Sequence, residues 1–138
     1  MLLVFNVSAV FAADSLGTVV LLHGIGRTAK SLKKIDIALQ KQGYETLAIT
    51  YPSTQKNLEH IAEYLHEKHL TKTFWASKEK VHFVTHSMGG LVAQKYLSKY
   101  KPVKVGRVVM LGPPNGGSEI ADILHNFRLY KWFYGPAG

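Results

Sequence analysis

Residues 84–90, with the sequence VTHSMGG, contain the side chain with the clearest chemical potential, Ser87. A serine on a strand-to-helix turn has a strained backbone, and its hydroxyl projects at the helix N-terminus. Free N–H groups and the helix dipole there stabilise negative charge on an attacked carbonyl. Gly89 lets strand and helix approach closely, whereas Thr85 stands where such turns usually have glycine. The pattern predicts that Ser87 is a nucleophile; the alternative is that it only caps the helix beginning at Met88.

A second loop of chemical interest, residues 23–27 with the sequence HGIGR, follows the apolar run TVVLL. If Ser87 is a nucleophile, this loop supplies the second backbone N–H that binds the developing oxyanion. The predicted pair of donors is the N–H of Ile25 and the N–H of Met88. We expect His23 to be a structural hydrogen-bonding residue beside this loop rather than a proton carrier.

The same loop also fits a nucleotide-binding pattern, G-x-G-x-x-A, through Gly24, Gly26 and Ala29. That pattern requires an acidic residue at the end of the second strand to hold a ribose. The only acid nearby, Glu45, lies at the beginning of that strand. A phosphate-binding P-loop fails as well, because Ala29 rather than glycine precedes Lys30. We therefore expect no nucleotide cofactor, and no other cofactor.

The elements that must position these loops alternate between short β-branched runs and helical periodicity. Strands are predicted at 18–22, 45–50, 80–85 and 105–111, and helices at 28–42, 57–70, 88–100 and, shorter, near 118–126. Strands separated by helices of this length predict an α/β fold, a parallel sheet with helices on both faces. The chemistry of such sheets lies at the carboxyl ends of the strands. Residues 23–27, 85–90 and 112–118 are predicted to meet there.

The segments VVLLHGIG, VHFVTHSMGGLVAQKYL and VVMLGPPNGGSE occur in the order and spacing of the α/β-hydrolase superfamily. From residue 18 to the end, the chain resembles the bacterial lipases and esterases of that superfamily. The resemblance implies the sheet order 2-1-3-4 and a substrate-facing loop at 112–118. It also implies a nucleophile, two oxyanion-hole donors and a set of supporting residues: Ser87; Ile25 and Met88; His23, Gly24, His86, Gly89 and Gly90.

The acid and base of the superfamily's triad are missing from the expected places. After Ser87 the sequence offers only Glu119, Asp122 and His125, which lie close together on one short predicted helix. In this superfamily the acid and base follow separate later strands, so none of these residues is assigned. We expect the chain to be the N-terminal half of the fold, truncated at its C-terminus, and weakly active or inactive. The fourth strand, apolar enough to be central, would then form an exposed edge.

Composition and charge bound the remaining possibilities. The chain has 138 residues, a net charge of +8 and no cysteine, which excludes disulfides and thiolate metal sites. The basic residues are dispersed and no nucleic-acid-binding motif accompanies them, so we expect no nucleic-acid partner. His60, His66 and His69 occur along one predicted helix, but no carboxylate completes a ligand set, so no metal site is predicted. An anionic membrane surface remains a candidate for peripheral contact.

Residues 2–13 form an apolar run that is too short to span a bilayer. Small residues before Asp14 favour a signal peptide over 1–13, cleaved after Ala12 or Ala13, although no basic residue precedes the run. Export to the periplasm or outside the cell follows if the segment is a signal peptide. If it is instead a first strand, we expect the domain, residues 14–138, to be cytoplasmic.

The leading hypothesis is a serine hydrolase of the lipase or esterase type, which cleaves carboxylic esters, soluble or lipid, through an acyl-enzyme on Ser87. The competing hypothesis is a truncated, non-catalytic binding or interaction domain on the same fold. The two hypotheses differ in whether the hydroxyl of Ser87 is chemically activated.

Overall fold

The computed structural model describes residues 15–112, which form one parallel four-stranded sheet with flanking helices. The strands are β1 Thr18–Leu22, β2 Glu45–Ile49, β3 Val81–His86 and β4 Val105–Leu111, and the helices are α1 Lys33–Lys41, α2 Leu58–Lys68, α3 Lys72–Ala76 and α4 Met88–Tyr100. A 3-10 turn at Ala29–Leu32 precedes α1. The sheet has the order β2-β1-β3-β4, so the predicted sheet order and fold class are confirmed.

The sheet has helices on both faces, and alternation along β1 divides its side chains between two hydrophobic cores. Val20 and Leu22 pack in the larger core, which includes buried side chains of α2 and α4. Val19 and Leu21 pack with Leu32 in a smaller core that α1 completes. Because β1 is buried along its whole length, its continuous apolar run is the expected pattern for a central parallel strand.

The predicted element boundaries differ from the structure at a few places. The helix predicted for 28–42 begins as the 3-10 turn, and only Lys33–Lys41 is α-helical. The helix predicted for 57–70 ends at Lys68. The short α3 was not predicted; it begins after Thr71, whose side-chain oxygen accepts a hydrogen bond from the N–H of Phe74 at 3.2 Å. The predicted helix near 118–126 lies outside the described residues.

Strand β4 forms one edge of the sheet among the residues that the structure describes, as the sequence predicted. It pairs with β3, and alternate side chains along it are exposed, including 47% of Val109 and 37% of Leu111. The pairing is irregular between Val81 and Phe83. There the ring of His82 occupies the space beside Gly106, and its Nδ1 accepts a hydrogen bond from the N–H of Arg107 at 2.9 Å.

Candidate functional site

Ser87 joins β3 to α4 with backbone angles of φ 51° and ψ −123°. A positive φ is uncommon for a residue with a side chain, and its strain must be held by the surrounding structure. The N–H of Ser87 donates to the carbonyl of Leu111 at 2.9 Å, and its own carbonyl accepts from the N–H of Gly90 at 2.9 Å. The half-buried side chain makes no capping hydrogen bond to α4. The hydroxyl is therefore not used to cap the helix, against the alternative drawn from the sequence.

Two glycines allow the backbone to close around Ser87. A Cβ on Gly89 would lie 2.9 Å from the carbonyl oxygen of His23 and closer still to that of Leu22. A Cβ on Gly24 would lie 3.1 Å from Nδ1 of His86 and 3.3 Å from Cβ of Ser87. The loop after β1 thus lies directly against the serine turn. Gly89 is a steric requirement of this approach, whereas a Cβ on Gly24 would need only a small shift of the neighbouring side chains.

Thr85, the departure from the usual glycine, is fully buried at the end of β3. Its Oγ1 has no hydrogen-bond partner among the described residues. A Cβ on Gly90 would lie 3.4 Å from this oxygen and 3.3 Å from Sδ of Met110. Gly90 of α4 therefore packs close to the buried Thr85, at a distance where an added Cβ would make only ordinary contact with Oγ1.

His23, at the carboxyl end of β1, is completely buried. Its Nδ1 lies 2.7 Å from the carbonyl oxygen of Gly24, and its Nε2 accepts from the N–H of Tyr51 at 3.2 Å. Burial lowers the pKa of His23, and the hydrogen bond to Gly24 offsets this only in part. A neutral ring with the proton on Nδ1 satisfies both contacts, so His23 fixes the loop as a structural residue.

The loop after β2 contributes supporting residues that the sequence analysis missed. The ring of Tyr51 stacks on His23 with 4.1 Å between centroids, and its hydroxyl donates to the His23 carbonyl. Burial also raises the pKa of Tyr51. The buried Ser53 accepts a hydrogen bond at 3.0 Å from the N–H of Gly26. The one available signal was the position of Tyr-Pro-Ser directly after a strand, on the edge where the other two loops meet.

The two proposed oxyanion donors flank these contacts. Ile25 follows Gly24 and packs partly buried against the larger core, and Met88 is the buried first residue of α4. Within residues 15–112, neither N–H has a hydrogen-bond partner. The side chain of His86 is exposed beside the Gly24 backbone. The structure thus brings together the serine turn, the loop after β1 and their supporting residues.

The other candidate residues lie elsewhere. His66 stacks on Tyr100, His69 packs against Tyr64, and His60 is exposed. Across residues 15–112, no three histidine, aspartate or glutamate side chains group as metal ligands. The same residues include no helix long and apolar enough to cross a membrane.

Glu45 lies at the opposite end of the sheet, where it accepts hydrogen bonds from Lys78 and Thr18. The acid that a ribose would need is therefore remote from the loop after β1. Glu119, Asp122 and His125 lie outside the described residues, as do the segment 1–13 and all but the first residue of the loop predicted at 112–118.

Comparison with known proteins decides the family. The sequence model of the alpha/beta hydrolase family matches residues 19–137. The chain belongs to this family. No curated protein matches the sequence of this α/β hydrolase.

Solved structures similar to this α/β hydrolase include three hydrolases from bacteria and archaea. The mature lipase BlEst2 of Bacillus licheniformis is 26% identical, with a TM-score of 0.57 over 91% of this chain and 49% of its own. A monoacylglycerol lipase of Paleococcus ferrophilus is 23% identical, with a TM-score of 0.59 over 72% of this chain and 39% of its own. A carboxylesterase of Nitrososphaera gargenis is 19% identical, with a TM-score of 0.62 over 80% of this chain and 42% of its own. The chain spans less than half the length of each.

Proposed function

We propose that this α/β hydrolase cleaves carboxylic esters through an acyl-enzyme on Ser87. The observation that carries the proposal is the positive φ of Ser87 at the turn from β3 to α4, with a hydroxyl that makes no capping hydrogen bond. A turn with a purely structural role would not need a strained serine whose hydroxyl leaves the helix N-terminus uncapped. Such strain is retained where it positions a reacting atom. The likeness to the lipase BlEst2 supports an ester as the substrate.

In the proposed reaction, Oγ of Ser87 attacks the ester carbonyl while a general base takes its proton. The oxyanion accepts hydrogen bonds from the N–H groups of Ile25 and Met88, which have no partner in residues 15–112. The tetrahedral intermediate collapses to the acyl-enzyme, and the base returns its proton to the leaving alcohol. Water then releases the acid by the same steps. We infer that the base and its acidic partner come from outside residues 15–112.

Covalent labelling tests the proposal. A fluorophosphonate reacts with an activated serine, so we expect the full-length protein, with its general base, to take one adduct per chain, located at Ser87 by peptide mass spectrometry. Ser87→Ala should abolish both the adduct and any hydrolysis of a p-nitrophenyl ester, because it removes the attacking atom. Ser98→Ala is the matched control, since Ser98 is exposed on the same helix and bonds only to the carbonyl of Lys95. Hydrolysis that survives Ser87→Ala would overturn the assignment.

A non-catalytic binding domain is the second candidate function. The observation that favours it is that no side chain in residues 15–112 hydrogen-bonds the Ser87 hydroxyl, so no base is assigned. Under this hypothesis Ser87 is unreactive and the fluorophosphonate leaves the chain unmodified. A positive labelling result would exclude it.

Export and contact with a membrane surface are further predictions from the sequence. The prediction of export depends on residues 1–13, and the prediction of membrane contact depends on the dispersed net charge of +8. N-terminal sequencing of the protein purified from its source would locate the start of the mature chain. A start at Ala13 or Asp14 would support the signal peptide, and a retained Met1 would contradict it.

A further inference from the structure

A cavity of about 530 Å³ opens at the end of α4 that lies away from Ser87. Its walls come from the end of α2, from α3 and from the loop between α4 and β4. Because α4 contains 13 residues, the cavity lies roughly 20 Å from the serine turn. Its volume is in the range of small-molecule sites. It is therefore separate from the site proposed for ester cleavage.

Aromatic rings form one wall of this cavity, and their mutual contacts fix them in place. His66 stacks on Tyr100 with 3.9 Å between ring centroids and an interplanar angle of 9°. The indole N–H of Trp75 donates to the hydroxyl of Tyr96 at 2.8 Å, and that hydroxyl donates to the carbonyl of Leu70 at 3.1 Å. Trp75, Tyr100 and His66 are only half-buried, so each keeps ring surface for a planar ligand.

The charged residues that line the cavity in the described part of the chain are all basic. Lys104 is engaged with the protein, because its ammonium donates to the carbonyls of Trp75 at 3.2 Å and Lys78 at 2.7 Å. Lys72 and Lys101 are exposed, and neither has an ion-pair partner in the part of the chain that the structure describes. Among residues 15–112, no acidic side chain lines the cavity. These charges favour an anionic ligand and disfavour a cationic one.

His66 contributes its aromatic ring to the wall. Its Nδ1 is buried from solvent, so a ligand in the cavity meets the ring and not this nitrogen. Stacked rings and two exposed ammonium groups, both without an ion-pair partner among residues 15–112, therefore occur together on one cavity.

We propose that this cavity binds a planar aromatic carboxylate. The aromatic ring of the ligand packs against Trp75 and Tyr100, and its carboxylate lies toward Lys72 and Lys101. The proposal needs no chemistry at Ser87, so binding is expected whether or not the chain hydrolyses esters.

Titration with naphthalene-2-carboxylate tests the proposal, with naphthalene-2-carboxamide as a neutral ligand of the same shape. Binding is followed by calorimetry and by the indole N–H resonance of Trp75 in NMR spectra, assigned with Trp75→Phe. We expect the carboxylate to bind saturably and about three- to tenfold more tightly than the amide, with the difference shrinking at high salt. Equal affinities, or no shift of the Trp75 resonance, would overturn the proposal.

Substitutions locate the ligand. Lys72→Gln and Lys101→Gln should each weaken the carboxylate several-fold and leave the amide unchanged, because each removes one exposed charge. Ala76→Leu should weaken binding of both ligands several-fold, since this residue lines the cavity and the added atoms narrow it. The controls are Lys33→Gln and Ala38→Leu, both exposed on α1 at the opposite face of the sheet. Affinities that Ala76→Leu leaves unchanged, or that Lys33→Gln weakens as much as Lys72→Gln does, would place the ligand elsewhere and contradict the proposal.

Discussion

The buried hydroxyl of Thr85 illustrates how one residue can be sterically accepted and still be energetically unfavourable. Its side chain is fully buried beside Gly90 of α4, but Oγ1 has no partner among the described residues. Replacing Thr85 by valine keeps the shape and removes the unpaired oxygen. We expect Thr85→Val to raise the free energy of unfolding by about 1 kcal/mol, measured by urea denaturation monitored by circular dichroism.

Thr85→Ser is the matched control for this prediction. It keeps the unpaired hydroxyl and removes the methyl group, so it should lower the free energy of unfolding by about 1 kcal/mol. If Thr85→Val destabilises the protein as much as Thr85→Ser does, then the hydroxyl of Thr85 has a partner that stabilises it. The interpretation of Oγ1 as an unpaired buried oxygen would then be wrong.

At the scale of elements, the contact between α4 and β1 depends on one of two adjacent glycines. A Cβ on Gly89 would collide with the backbone carbonyls of Leu22 and His23, which cannot move without disturbing β1. A Cβ on Gly90 would meet the side chain of Met110 at 3.3 Å, which can shift. We therefore expect Gly89→Ala to destabilise the protein by about 3 kcal/mol, the upper range for overpacking, as measured by thermal and urea unfolding.

Gly90→Ala supplies the comparison. Alanine is favoured over glycine inside a helix by about 1 kcal/mol, which offsets the adjustment that Met110 must make. The variant should therefore lie within about 1 kcal/mol of the original protein. If Gly89→Ala and Gly90→Ala lower the free energy of unfolding equally, then the contact between α4 and β1 does not depend on Gly89.

For the whole molecule, the pH dependence of stability follows from several histidines acting together. Burial lowers the pKa of His23 and of His69, and burial together with Lys80 and Arg107 lowers the pKa of His82. As the pH falls, a histidine in the unfolded chain, with its ordinary pKa near 6.5, binds a proton at a higher pH than these three rings do in the folded protein. Stability is therefore complete above about pH 6.5 and declines as the pH falls toward the folded-state pKa values.

We expect the urea midpoint of unfolding to be lower at pH 5.5 than at pH 7.5. Carboxylates contribute little over this interval; the pKa of Glu59, for example, is lowered to about 2 by its hydrogen bonds to Lys95 and Lys99. The stabilising effect of the ionised Glu59 is lost only as the pH falls below the ordinary pKa of a glutamate. A midpoint that is constant or rises between pH 7.5 and 5.5 would contradict the buried, neutral state assigned to His23.

Local patterns in the sequence determined the elements and their order. The apolar run of β1, the helical periodicity of α4 and the order of strands and helices together predicted a parallel sheet, because burial on both faces and right-handed crossovers leave few alternatives. Ser87 and the loop of residues 23–27 were found the same way. Each carries its signal within a few residues of a strand end.

Only the tertiary structure decided how the candidate site is held together. The stacking of Tyr51 on His23, the hydrogen bond from Gly26 to Ser53 and the close approach of Gly89 to the carbonyl of Leu22 join residues that lie in different parts of the chain. Periodicity records which side of an element is buried but not which atoms meet across elements. Those contacts depend on the register and the packing distance of the folded chain, so they become visible only when the sheet is assembled.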